Sequence, residues 1–241
     1  MGRKPNDEDI QVAITTLEHS DRLCFIELHA TGLQLAKVVT VMPKPLPLLM
    51  CLRIRLLMEA DAPVLPSRFL GRSAPCLREL YLDGIPFPTL PTLLLSTSYL
   101  TILTLTMIPP TGYFSPEAVV ASLAVLPSLE GLTIEFQSSA PCPDHIRPPP
   151  ATRTVLPALT SFNFQGAYEY LEDLVAQIDG PQLNNMWIVY MDEPYEFSVT
   201  QLSEFIDSSV GPELNPSKRA RVSFHVFHVT FTLYLVNFVI T

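Results

Sequence analysis

Leucine-type residues recur along this chain in one short pattern: an apolar anchor, a second three residues on, and a third two residues after that. Seven copies occur. They are Leu23, Ile26, Leu28; Leu49, Leu52, Ile54; Leu77, Leu80, Leu82; Leu100, Leu103, Leu105; Leu129, Leu132, Ile134; Leu159, Phe162, Phe164; and Leu183, Met186, Ile188. The first anchors lie 26, 28, 23, 29, 30 and 24 residues apart. With 48% apolar residues, chance fills about 10 of 21 anchors, and all 21 are filled. A proline stands two positions before the first anchor in five copies: Pro47, Pro75, Pro127, Pro157 and Pro181. Anchors two apart point to the same side of an extended strand. One such strand cannot bury its apolar side alone, but stacked copies form a continuous core as a parallel sheet. Parallel strands need crossovers, usually helical.

The segments between copies supply those crossovers. Residues 31–42 carry Leu33, Leu35, Val38, Val39 and Met42 at helical spacing. Ser115-Pro116-Glu117 reads as a helix start, with Ser as N-cap, Pro in the first turn and Glu on the dipole. Residues 167–178 place Leu171, Leu174, Val175 and Ile178 on one face, and Gly180-Pro181 ends the helix. Residues 198–208 repeat the theme. Residues 66–72 and 90–97 have room for one or two turns. Residues 6–19 read as a helix before the first strand, suited to cap the open end.

Two segments break the pattern. Residues 137–155 hold Pro141, Pro143, Pro148, Pro149 and Pro150, and read as a stiff loop in place of a helix. Residues 222–240 are rich in Val, Phe, His and Thr and read as strand. Closing strands of the array are the preferred reading of this tail. A tail foreign to the fold and a membrane contact are the alternatives. The organisation expected is a capping helix over 1–19, a domain of about seven repeats over 20–210, and a strand-like tail over 211–241.

Composition narrows the function. The formal charge of −9 argues against a nucleic-acid partner, whose footprint is a basic face. Pro at 24 and Gly at 9 fit many short elements joined by stiff connectors. The N-terminal residues are charged with no apolar run behind them, so no secretory signal is read. Cys24, Cys51, Cys76 and Cys142 share no paired spacing and read as reduced thiols of an intracellular protein, cytoplasmic or nuclear. No phosphate loop, nucleophile elbow or zinc-protease motif occurs, so neither enzymatic activity, metal nor cofactor is expected. Cys142, Asp144 and His145 fall together in the Pro-rich loop and read as solvated. His225 and His228 read as strand residues, and Lys218-Arg219-Ala220-Arg221 as a solvated turn.

The repeats resemble leucine-rich repeat proteins, whose unit is about 20–29 residues. Ala74 to Phe87 (APCLRELYLDGIPF) and Leu156 to Glu193 are similar to the repeat region of fungal F-box-type proteins. The resemblance covers about residues 6–210. It implies an α/β fold, an irregular leucine-rich-repeat solenoid or horseshoe, with a parallel sheet on the concave face and helices on the convex face. It also implies substrate recognition for a ubiquitin ligase. The F-box itself is not evident, so a ubiquitin-ligase scaffold is a partner only if an F-box is present elsewhere. The Asn common at the ninth repeat position is replaced by Thr31, Leu57, Ile85, Ile108, Gln137, Ala167 and Met191, so no asparagine ladder forms.

With anchors inward, the residues between them face out of the concave side. Those expected to carry recognition are Arg53, Arg55, Glu79, Tyr81, Asp83, Glu135, Asn163, Asn185 and Trp187. Their mix of charge, amide and aromatic groups suits a protein partner. Tyr81 and Trp187 are the expected hot spots. Arg53 and Arg55 are expected to grip a carboxylate or phosphate. The expected function is a protein–protein interaction module. The alternative is a truncated or degenerate paralogue without retained activity.

Overall fold

The computed structural model describes residues 7–18, 22–42, 44–57, 63–66, 68–87, 93–138, 152–191, 200–209, 218–225 and 228–235. All seven repeat segments form strands: β1 (Phe25–Ala30), β2 (Cys51–Leu56), β3 (Glu79–Asp83), β4 (Ile102–Ile108), β5 (Gly131–Phe136), β7 (Ser161–Gly166) and β9 (Asn185–Tyr190). They lie side by side in chain order, each parallel to the next. The protein is thus α/β with a parallel sheet. A separate two-residue pair joins β6 (Thr154–Val155) to β8 (Ile178–Asp179).

The register places equivalent residues opposite one another, so Leu52, Leu80, Leu103, Leu132, Phe162 and Met186 form one continuous row. Every anchor is buried except Leu23 and Leu28, which are half-buried at the first strand. The helices complete the same core: α1 (Asp7–Glu18), α2 (Gly32–Val39), α3 (Pro116–Leu123), α4 (Tyr168–Val175) and α5 (Thr200–Ser209). Thr31 caps α2 in a capping box with Gln34, and Ser115 caps α3 by accepting from the Ala118 N–H. Helix α1 packs on α2 and buries Ile10 and Leu17.

The prolines mark a turn that launches each strand. The N–H of each first anchor from Leu49 onward donates to the carbonyl three residues before it: Leu49 to Leu46, Leu77 to Ala74, Leu100 to Thr97, Leu129 to Leu126, Leu159 to Leu156 and Leu183 to Gly180. Proline therefore occupies the second position of a four-residue turn, where its fixed φ is pre-set. The residue opening each turn is buried, an anchor beyond the three-residue pattern. A second motif follows at the strand entry. The carbonyl of Cys24 accepts from both Met50 and Cys51, and those of Met50, Arg78, Thr101, Glu130 and Thr160 do the same for the next level.

Two local expectations are corrected. Helix α4 stops at Val175, and Ile178 enters β8, because Gln177 and Asp179 carbonyls are taken by Thr154 and Leu156. Lys218-Arg219-Ala220-Arg221 begins strand β10 (Lys218–His225) rather than forming a turn. Its partner β11 (His228–Leu235) lies antiparallel to both β10 and β9, which extends the sheet. Of residues 90–97, only 93–97 are described, and residues 139–151 of the Pro-rich segment lie outside the described residues. Among the described residues no helix is long and apolar enough to cross a membrane.

Candidate functional site

The sheet face opposite the helices is built by strand alternation, and register decides which side chains become neighbours. Glu27, Arg53, Tyr81, Thr104, Thr133, Asn163 and Trp187 share one row across it. Over β1–β4 this face sinks into an open depression of about 380 Å³, lined by Glu27, His29, Arg53, Arg55, Glu79, Leu80, Tyr81, Ile102 and Thr104. Of the residues expected to carry recognition, it brings together Arg53, Arg55, Glu79 and Tyr81, with Asp83 adjoining through Arg55. Glu27, His29, Ile102 and Thr104 are additional. Their position between anchors marks them as face residues, but only the inter-strand register groups them here.

Charge in the depression is largely compensated from within. Arg53 donates through Nη2 to Glu79 Oε2 at 2.9 Å, and its guanidinium lies 5.9 Å from the Phe25 ring centroid. Arg55 donates through Nε to Asp83 Oδ2. His29 Nε2 lies 3.2 Å from Glu27 Oε1. The Cys51 thiol also reaches Glu79, at 3.4 Å. The Arg53 hydrogen bond holds the Glu79 carboxyl below its ordinary value, whereas burial, then Glu79, pushes the Cys51 thiol up, away from thiolate reactivity. The arginines expected to grip an anion are each engaged, through one nitrogen, by a carboxylate within the fold. Each guanidinium is already bound to a carboxylate on the neighbouring strand, and Asp83 is buried beneath Arg55.

Beyond β4 the face residues are mostly neutral, with Glu135 on β5 the charged one among the described residues. Asn163 Nδ2 donates to Thr133 Oγ1 at 3.2 Å, and Asn185 Nδ2 to Ser161 Oγ at 3.3 Å. These cross-strand bonds occupy the amides expected to meet a partner. Thr106 Oγ1 reaches the Tyr81 hydroxyl at 3.5 Å. Glu135 is half-buried on β5, and burial first, then the Asp83 charge, raises its pKa. Tyr81 and Trp187 stand four strand steps apart, about 19 Å, so one small ligand cannot engage both. Trp187 is half-buried, and its strand is flanked by β11.

Among the described residues no group of three or more His, Cys, Asp or Glu is placed to hold a metal ion. Cys142, Asp144 and His145 lie outside the described residues. No protein family, curated protein or solved structure matches the chain.

Proposed function

We propose that this chain is an irregular leucine-rich-repeat solenoid, its parallel sheet on the concave face and its helices on the convex face, and that it works as a protein-interaction module. On this reading it resembles the substrate-recognition repeats of an F-box ubiquitin-ligase adaptor, with the open sheet face as the contact surface. The observation carrying the reading is the depression over β1–β4, where Tyr81 sits among side chains already oriented by cross-strand ion pairs. Pre-oriented polar groups around an aromatic anchor lose little conformational entropy on association.

The test is site-specific photocrosslinking in cells. A photoreactive phenylalanine analogue replaces Tyr81 in one variant and Leu33, exposed on α2, in another. A defined protein adduct at position 81 that is absent at position 33 is expected. Identical adducts at both positions, or adducts at neither, refute the open face as the contact surface.

A further inference from the structure

The open face distinguishes charges that the fold has compensated from charges it has not. Arg53 and Arg55 are each held by a carboxylate of β3, so neither adds net positive charge. Among the described residues Glu27 contacts the imidazole of His29 and is in no ion pair with a lysine or arginine. Glu135 has neither a hydrogen bond nor an ion pair among the described residues, although it is half-buried and near Asp83. A half-desolvated carboxylate without a counter-charge is unfavourable, and a cation from outside relieves it.

The backbone beside Glu135 is also unusual. Strand β4 slips register between Leu105 and Ile108, so Thr106 and Met107 stand opposite Glu135 alone. Met107 adopts φ 50°, a left-handed conformation costly for a side chain of its size. Bulges of this kind re-aim side chains and concentrate next to functional sites.

From these observations, and resting on the interaction-module reading above, we infer that the open face docks an extended basic segment of a partner protein. One lysine or arginine lies over Glu135, a second over Glu27, and an apolar side chain between them enters the depression beside Tyr81 and Ile102. An acidic or phosphorylated segment fits less well, because it meets Glu27 and Glu135 while the two arginines are already paired to Glu79 and Asp83. The chain's formal charge of −9 steers a basic partner inward. Glu27 on β1 and Glu135 on β5 are four strand steps apart and offset by two residues along the strand. That is about 20 Å, which an extended peptide spans in about six residues.

The experiment measures fluorescence anisotropy of the full chain with labelled peptides on a neutral background. One set carries two lysines whose separation is stepped from adjacent to about ten residues. A matched set carries two glutamates, and a third neither. The lysine set is expected to bind most tightly near a separation of about six, and Glu135→Gln to weaken it by about tenfold. Glu135→Lys is expected to move the preference toward the glutamate set. Both variants are first shown to melt no lower than the parent. Lysine peptides unaffected by Glu135→Gln overturn the inference. So do glutamate or neutral peptides that bind best and are lost in Tyr81→Ala, a result that leaves the interaction-module reading standing. Binding by no set refutes both.

Discussion

Arg55 on β2 and Asp83 on β3 stand directly opposite one another in the parallel register, and the Arg55 Nε donates to the Asp83 carboxylate. The two ends of the pair differ in exposure: the arginine side chain is 53% exposed and the aspartate only 11%. Removing the arginine leaves a mostly buried carboxylate without its donor. Arg55→Met is therefore expected to destabilise the fold by about 1–2 kcal/mol. The double variant with Asp83→Asn should lose less than the two single effects combined. Urea unfolding of the four proteins checks this; simple additivity would show that the pair is not coupled.

The turn that launches each strand carries proline at its second position in five of six cases among the described residues, and Ser98 in the sixth. Ser98 is exposed, and its turn closes with the same Leu100 to Thr97 hydrogen bond. Ser98→Pro should raise stability by about 0.5–1 kcal/mol by reducing the freedom of the unfolded chain. Thermal melting reads the result. A loss of stability would mean that this turn differs in backbone angles from its five counterparts.

Glu172 on α4 accepts from the N–H groups of Gln201 and Leu202, at 2.8 and 3.1 Å, and so caps the first turn of α5 from a neighbouring helix. Glu172→Ala leaves both donors without their acceptor and should cost about 1–2 kcal/mol. Hydrogen exchange should quicken first in Thr200–Ser209. Unchanged protection there would show that packing of Leu202 and Phe205 holds α5 without the cap.

Burial, followed by the charge of Asp83, raises the Glu135 pKa. Its folded state therefore binds a proton more tightly than its unfolded state. The ionised carboxylate opposes folding above the folded pKa, and that penalty fades as pH falls through it. Glu135→Gln should melt slightly above the parent at neutral pH, and the difference should shrink on mild acidification. A glutamine variant that melts lower at every pH would show that the carboxylate stabilises the free protein.

The strands were legible because the apolar anchors and the strand period agree at every copy. The proline two residues before five of the first anchors marked the repeat, and only the hydrogen bonds from Leu49 to Leu46 and its counterparts show that it sits in a turn. The extra buried position that opens each turn was available in the same pattern: Leu46, Ala74, Leu126 and Leu156 all precede a proline. The end of α4 was not legible, since Ile178 keeps helical spacing and only its pairing with Thr154 pulls it into a strand. The Lys218-Arg219-Ala220-Arg221 stretch looks like a solvated turn locally, yet its backbone pairs with residues 232–235.

What the amino-acid order determined alone is which residues form the seven repeat strands and which side of each is apolar. Those properties depend on neighbours a few residues apart, and local periodicity and backbone preference suffice to read them. The tertiary structure decided which charges meet. Arg53 and Glu79 are 26 residues apart, and Arg55 and Asp83 are 28 apart. Their pairing follows from the stacking register, which sets Glu135 opposite Gln165 rather than a basic residue. Coulomb and hydrogen-bond energies depend on separations of a few ångströms, and only the folded stack sets those separations.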